Sequence, residues 1–167
     1  HMEERPKIKL EWTFLDRILE ITGWFALVGL WILLKVADYP DLPDTIPTHF
    51  NTFGQVDGYG GKITLLILPV IATVLFFGMT ILNMFPAIFN YPVKITQENA
   101  LKQYTNATRL IRYLKLVIVV VFGIIGFSMI QNAQGKAEGM GIWVLPLMLG
   151  LIFIPLIIYI SWSFKNK

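Results

Sequence analysis

Long apolar stretches without any charged residue constrain this chain more than any other feature. Residues 63–93, 116–135 and 139–164 contain no Asp, Glu, Lys or Arg. A helix needs about 20 mostly apolar residues to cross the ~30 Å hydrocarbon core of a bilayer. Each stretch is long enough, so the sequence predicts an integral membrane protein with at least three spans.

A fourth span is predicted near the amino terminus. Residues 21–34 are apolar but short, and they lie between Glu20 and Lys35. A span over residues 15–37 is long enough if these charged side chains extend to the interfaces. We therefore predict an all-α integral membrane protein, a four-transmembrane-helix bundle forming one domain over residues 3–167, with spans of about 15–37, 63–85, 112–132 and 141–164. His1 and Met2 are interpreted as a cloning remnant.

The composition excludes several other classes of protein. Charged residues make up 15% of the chain and hydrophobic residues 55%, and there is no cysteine. Soluble domains carry about 25% charged residues, so the low charge excludes a soluble globule. The high hydrophobic content excludes a disordered chain, and the lack of cysteine excludes a disulfide scaffold. The net charge of +3 does not indicate a nucleic-acid partner, because the basic residues flank apolar blocks.

The distribution of basic residues predicts the orientation. Eleven of the 14 Lys and Arg residues lie within residues 5–17, 94–115 and 165–167, which are the segments before the first span, between the second and third and after the fourth, together with the adjoining ends of the spans. The positive-inside rule places these segments, and both termini, in the cytoplasm. The loop 38–62 is then extracytoplasmic, and residues 91–111 form a cytoplasmic amphipathic segment that can continue as a helix into the third span.

The loop 38–62 carries the most information about function. Its prolines restrict the backbone and its glycines permit turns, while Ile46 and Phe50 indicate that it is ordered and packs on the helix ends. Asn51 and Asp57 can form side-chain turns, with His49 bonded to backbone. Alternatively, His49 with Asp57 or Asp44 can bind a divalent metal, although one histidine without cysteine matches no standard zinc spacing.

Catalytic patterns are weak. Nucleophilic catalysis needs a Ser or Cys beside a base, and the serines lie in predicted spans away from His49. The run Gly60-Gly61-Lys62-Ile63 lacks the Ser or Thr that a phosphate loop places after lysine. The sequence favours a non-enzymatic protein.

Charged residues also occur at the inner end of the first span. Asp16, Arg17 and Glu20 lie there, and Arg17 and Glu20 have the i, i+3 spacing of a helical ion pair. Charges within a span indicate a transport or relay function by default. Near an interface, however, such side chains usually only extend into the headgroup region.

Two motifs resemble a known family. The first comprises Tyr39-Pro40, Leu42-Pro43, Ile46-Pro47-Thr48-His49-Phe50-Asn51, Gly54, Asp57 and Lys62, and the second comprises Tyr91-Pro92-Val93-Lys94-Ile95-Thr96, Glu98-Asn99-Ala100 and Gln103-Tyr104. Together they resemble a bacterial membrane domain of unknown function that forms the N-terminal half of SdpI-type bacteriocin-immunity proteins. The resemblance implies a four-helix protein of the bacterial inner membrane with its signature loop outside. Better-understood relatives are linked to protection against a secreted toxin and to membrane-based signalling, and they carry a second half of further helices that is absent here.

The resemblance also implies site residues. Ligand-binding or loop-organising residues are Pro47, His49, Asn51, Gly54, Asp57 and Lys62, and Thr96, Asn99 and Tyr104 cap and dock the cytoplasmic helix. No catalytic residue comes with it.

Three functions follow as hypotheses. The first is a non-enzymatic membrane protein whose exterior loop recognises an envelope ligand such as a toxin peptide. The second is a metal-dependent envelope enzyme or ion-binding sensor that uses His49 and Asp57. The third is a small transporter or channel, which with four helices per chain requires a homo-oligomer. The bilayer is the partner common to all three.

Overall fold

The computed structural model describes residues 4–167 and is mostly helical. Its helices are α1 (Phe14–Val36), α2 (Thr64–Leu82), α3 (Ala100–Ala133) and α4 (Val144–Lys165), and its strands are β1 (Thr45–Phe50) and β2 (Val56–Gly61). Single 3-10 turns lie at Tyr39–Asp41 and Pro86–Ile88. All four helices are long and apolar enough to cross a membrane, which confirms the predicted number of candidate spans.

The first helix begins at a capping box. The Thr13 hydroxyl accepts a hydrogen bond from the Asp16 backbone N–H, and the Asp16 carboxylate accepts one from the Thr13 N–H. Such reciprocal caps satisfy N–H groups that a helix start leaves without partners. The helix ends before Asp38, which adopts a left-handed conformation with φ of 50°. These local features set the length of α1.

The third helix is the centre of the bundle. It packs most extensively against α1 and also contacts α2 and α4. It is 34 residues long, about 50 Å at 1.5 Å per residue, and so exceeds the ~30 Å hydrocarbon core. Residues 100–111, from the predicted amphipathic segment, are its first three turns, whereas residues 91–99 are not helical.

The fourth helix is attached through α3. Only Met148 and Ser163 of α4 are buried. Pro155 lacks an N–H, so the carbonyl of Leu151 has no partner within α4. The Tyr113 hydroxyl of α3 donates to that carbonyl at 2.8 Å. The Tyr113 side chain of α3 thus supplies the hydrogen bond that the backbone of α4 lacks at Pro155.

The loop between α1 and α2 forms an antiparallel β-hairpin. Strand β1 pairs with β2 from Thr45–Gly61 to Phe50–Val56, with irregular register on either side of His49. Ile46 is fully buried and packs with Leu65 of α2 and Met129 of α3. The hairpin is therefore anchored on the helix ends.

The bundle has two distinct ends. We call the side with residues 37–63 and 134–143 the hairpin end, and the side with residues 4–13, 83–99 and 166–167 the termini end. Arg5 at the start of the described chain donates to the carbonyls of Ala87 and Phe89. Gln103 donates to the carbonyls of Ser163 and Asn166. These bonds join the amino-terminal segment, the α2–α3 connection and the end of α4 on one side.

Candidate functional site

A cavity of about 590 Å³ lies between the β-hairpin and the neighbouring ends of α3 and α4. Its wall is mostly apolar, with polar groups contributed by the hairpin. The lining residues are Thr48, His49, Phe50, Asn51, Thr52, Gly54, Asp57, Ile125, Met140, Gly141, Leu145 and Met148. Pockets of this size and composition are typical of small-ligand and side-chain binding sites.

His49 and Asp57 form a polar pair on this cavity. The Nδ1 of His49 lies 2.5 Å from Oδ1 of Asp57, across the two strands. The histidine side chain is 73% exposed and the aspartate 42%. When neutral His49 donates its Nδ1–H to the carboxylate, its Nε2 remains as a hydrogen-bond acceptor. The pair can thus orient an imidazole toward a ligand.

Asn51 organises the hairpin turn. Its side-chain oxygen accepts hydrogen bonds from the backbone N–H groups of Phe53 and Gln55. Its own N–H donates to the Gln55 carbonyl, and its carbonyl accepts from Gly54. Asn51 therefore fixes the turn that brings Gly54 toward α4.

Gly54 docks the hairpin on the connection between α3 and α4. It has a φ of 77°, and its carbonyl accepts a 2.6 Å hydrogen bond from the N–H of Met140. A Cβ at position 54 would overlap the Gly141 carbonyl. Gly139 is held in turn by Asn132, whose side-chain oxygen accepts from its N–H at 2.7 Å. These contacts close one side of the cavity.

Lys62 and Pro47 lie away from this cavity. The Lys62 ammonium donates to the carbonyls of Tyr39, Pro40 and Leu42 at 3.0–3.4 Å, and so holds the 3-10 turn after α1. Pro47 pairs across the hairpin with Tyr59. Lys62 therefore organises the loop, while His49, Asn51, Gly54 and Asp57 line one cavity.

The metal hypothesis concerns His49, Asp57 and Asp44. The structure brings the first two together, while Asp44 is fully exposed and lies 3.9 Å from Lys62. Within residues 4–167, no group of three or more His, Cys, Asp or Glu side chains is placed to hold a metal ion. Metal binding by the His49–Asp57 pair stays a prediction.

The second motif lies at the termini end. Thr96 and Asn99 exchange reciprocal bonds between backbone N–H and side-chain oxygen at 2.8 and 3.2 Å, and Asn99 also donates to the Lys94 carbonyl. Tyr104 is fully buried, and its hydroxyl donates to the Pro6 carbonyl. The Thr96–Asn99 bonds form a turn before α3 and do not cap it as predicted, because the N-cap residue Asn99 makes no side-chain capping hydrogen bond. Tyr104 docks the amino-terminal segment on α3, as its predicted role requires.

Tyr91 completes this arrangement. Its ring stacks on Tyr104 with centroids 5.7 Å apart, and its hydroxyl donates to the Pro86 carbonyl. Burial raises the pKa of the Tyr91 phenol, so the hydroxyl remains a donor at physiological pH.

A network of buried charges between α1 and α3 was not predicted. Asp16 and Glu20 of α1 face Arg109, Arg112 and Lys115 of α3, with the shortest contacts at 2.9 Å for Arg109–Asp16 and 2.6 Å for Lys115–Glu20. Their spacings, i, i+4 on α1 and i, i+3 on α3, place each set on one helix face, and that matching periodicity is the signal sequence reasoning missed.

The network corrects one sequence-based expectation. Glu20 pairs with Lys115 and Arg112 of α3 rather than with Arg17. Arg17 is exposed, and no ion pair involves it in the part of the chain that the structure describes. A buried carboxylate faces the helix packed against it, and i, i+3 spacing alone does not show which face that is.

Comparisons with known proteins show similarity to a domain of unknown function and to an uncharacterised protein. Residues 24–73, which include most of α1, the whole hairpin and half of α2, match the profile of a domain of unknown function (DUF1648). The chain is also 28% identical over 103 residues to an uncharacterised protein of Archaeoglobus fulgidus. That alignment covers 57% of this chain, and the chain spans about half, 56%, of the relative. No solved structure matches.

Proposed function

We propose that this chain is a non-enzymatic, multi-pass protein of the bacterial cytoplasmic membrane whose hairpin end recognises an envelope peptide. The single observation that carries the proposal is the hairpin-end cavity, which combines an apolar wall with the His49–Asp57 pair. The likeness of the first motif to SdpI-type immunity proteins adds a class of ligand, a secreted toxin peptide. In that case the protein serves in immunity or in sensing.

The chemistry of the cavity fits an amphipathic peptide. Phe50, Ile125 and Leu145 offer apolar surface for one or two large side chains. The Nε2 of His49 accepts a hydrogen bond from a peptide N–H, and the free oxygen of Asp57 attracts a cationic side chain. In many binding sites an apolar side chain fills a pocket and a few polar groups fix the orientation of the ligand.

The charge distribution supports placing the cavity outside the cell. Eleven of the 14 basic residues lie at or near the termini end, so the positive-inside rule assigns that end to the cytoplasm. Both termini are then cytoplasmic, and the hairpin faces the compartment in which secreted peptides act.

A complementation experiment tests the proposal. A strain lacking the gene is challenged with a panel of membrane-active secreted peptides, and the wild-type gene or a variant is restored. We expect His49→Ala with Asp57→Ala to restore less resistance than wild type at equal membrane abundance. Lys136→Gln, an exposed change on the same end, should restore resistance fully.

A second pair of variants addresses the cavity itself. Leu145→Trp fills the cavity without altering the polar pair, and it should abolish protection. Leu147→Trp adds the same bulk at a position on α4 that is 55% exposed and outside the cavity, and it should not. If deletion leaves peptide sensitivity unchanged, or if the cavity variants complement as well as wild type, the proposal is wrong.

A further inference from the structure

A second cavity lies at the termini end, on the opposite side of the bundle from the hairpin. It has a volume of about 290 Å³ and is walled by the amino-terminal segment, α1, α3 and the end of α2. Its polar lining includes Lys9, Glu20, Asn83, Arg112 and Lys115, and Trp12 covers one side. The proposed peptide recognition does not involve this cavity.

Arg112 is buried here with incomplete partners. The residue is 5% exposed, and its guanidinium lies 4.1 Å from the centre of the Trp12 ring. Nη1 is 3.5 Å from Asp16, and Nε is 3.8 Å from Glu20, distances at which attraction persists but a good hydrogen bond does not form. The Nε has no hydrogen-bond partner. A buried guanidinium with an unused donor is costly unless an acceptor reaches it.

The two carboxylates nearby are already engaged by other cations. Arg109 bonds Asp16 at 2.9 Å through Nε, and Lys115 bonds Glu20 at 2.6 Å. Lys115 also donates to the Thr80 hydroxyl, which leaves one of its three N–H groups. Lys9 adds a further positive charge to the cavity lining. Cations therefore outnumber carboxylates around the cavity, and the imbalance favours an anion.

Asn83 presents an unpaired hydrogen-bond acceptor, whereas Arg112 presents an unpaired donor. Its amide nitrogen donates to the Thr108 carbonyl, while its side-chain oxygen is buried and has no hydrogen-bond partner. That oxygen needs a donor. A ligand suited to both groups is an anion whose oxygens accept from Arg112 and Lys115 and which also carries a hydroxyl.

We propose that this cavity binds a phosphate anion, in which Arg112, Lys115 and Lys9 hold the charged oxygens and Asn83 accepts from a protonated oxygen. Guanidinium and ammonium groups together are the usual protein partners of phosphate. The anion comes either from free phosphate or from a phosphomonoester lipid headgroup. The depth of the cavity along α3 favours testing a lipid source, because the charge-free stretch of α3 begins at Leu116, next to Lys115.

The test uses the purified full-length chain in an uncharged detergent after lipid removal. One arm measures the thermal unfolding midpoint with inorganic phosphate against chloride at equal ionic strength. The other arm compares phosphatidylcholine nanodiscs with and without phosphatidic acid. We expect one of these additions to raise the midpoint of the wild-type chain in a concentration-dependent manner.

Variants locate the effect. Arg112→Gln should weaken the apparent affinity about tenfold or more, because it removes a buried charge-assisted donor. Lys9→Gln should weaken it about threefold and reduce its dependence on salt, since Lys9 is exposed at the cavity and contributes through charge. Lys102→Gln removes an equal charge from an exposed position outside the cavity, and it should leave the affinity unchanged.

The two arms of the experiment distinguish free phosphate from a lipid headgroup. A response to phosphate identifies a soluble anion as the ligand, and a response only to phosphatidic acid identifies the headgroup. If Arg112→Gln does not fold, the comparison of Lys9→Gln with Lys102→Gln decides, because neither residue belongs to the buried network. Equal affinity in those two variants overturns the proposal, and so does a wild-type midpoint that neither addition shifts. Peptide resistance is measured separately, so failure here leaves the hairpin-end proposal intact.

Discussion

Gly54 joins the hairpin to the rest of the molecule at a point where two backbones nearly touch. Its positive φ is a conformation that residues with a Cβ rarely adopt. Its neighbour across the contact is Gly141, which also has a positive φ. Two separate requirements, backbone conformation and space, therefore select glycine at position 54.

Substitution at this position should destabilise the protein in a measurable way. Gly54→Ala should lower the free energy of unfolding by about 2–4 kcal/mol, because left-handed strain adds to overlap with the Gly141 carbonyl. Gly135→Ala is the matched control, since Gly135 has a φ of 71° but open space around it. It should cost only about 1 kcal/mol. Equal losses in both variants, measured by denaturant titration in mixed micelles, would show that docking contributes nothing.

At the scale of secondary-structure elements, the interface between α1 and α3 contains buried charged side chains. The Lys115 side chain is fully buried, and its ammonium contacts Glu20, the Thr80 hydroxyl and the face of the Phe76 ring. A buried ion pair contributes little relative to apolar residues of equal size, but removing one member leaves an uncompensated charge. Replacing either Glu20 or Lys115 alone should therefore lower the free energy of unfolding more than replacing both together.

A double-mutant cycle tests this expectation. Glu20→Gln should lower the free energy of unfolding by about 3 kcal/mol, because it leaves the Lys115 ammonium without a carboxylate. Combining Glu20→Gln with Lys115→Met should restore at least half of that loss. Glu98→Gln, at an exposed position, serves as the control for loss of an acidic residue. Strict additivity of the two changes would contradict a coupled pair.

The interface of α4 with α3 includes a hydrogen bond from Tyr113 to the Leu151 carbonyl, which Pro155 leaves without a partner in α4. Tyr113→Phe should lower the free energy of unfolding by about 1–2 kcal/mol, because the Leu151 carbonyl then lacks a partner in an apolar environment. Tyr59→Phe removes a hydroxyl from a residue that is 70% exposed and should change little. Hydrogen exchange of α4 amides should rise only in the first variant, and unchanged exchange would argue against this role.

At the scale of the whole molecule, the two ends differ in charge and in the ligands that we propose for them. Most of the basic residues lie at or near the termini end, which also carries the proposed phosphate site, while the hairpin end carries the acidic loop and the proposed peptide site. If the termini end is cytoplasmic, the two proposed ligands reach the protein from opposite sides of the bilayer.

Cysteine labelling tests this orientation, because these 167 residues contain no cysteine. Phe53→Cys places a thiol at the hairpin tip, where Phe53 is 64% exposed, and Lys165→Cys places one at the exposed end of α4. In intact cells, a membrane-impermeant maleimide should label only the first variant. After permeabilisation, it should label both. Labelling of Lys165→Cys in intact cells would reverse the assignment.

Part of the candidate site could be predicted from the sequence. His49, Asn51, Gly54 and Asp57 were selected from the loop, and all four line one cavity. Lys62 was selected with them, but its bonds to three carbonyls make it part of the loop scaffold. Residue type indicated hydrogen-bonding capability for His49, Asn51, Asp57 and Lys62, and conformational freedom for Gly54. The direction of each side chain depends on strand register, which the irregular pairing around His49 alters.

The sequence by itself determined the four apolar helices and the charge difference between the two ends, because hydropathy and charge are properties of local stretches of chain. Only the tertiary structure decided which charges meet and where cavities form. Asp16 and Arg109 are 93 positions apart, and Gly54 of the hairpin meets Met140 of the α3–α4 connection. Contacts of this kind depend on how helices pack and strands pair, and local patterns do not specify such packing.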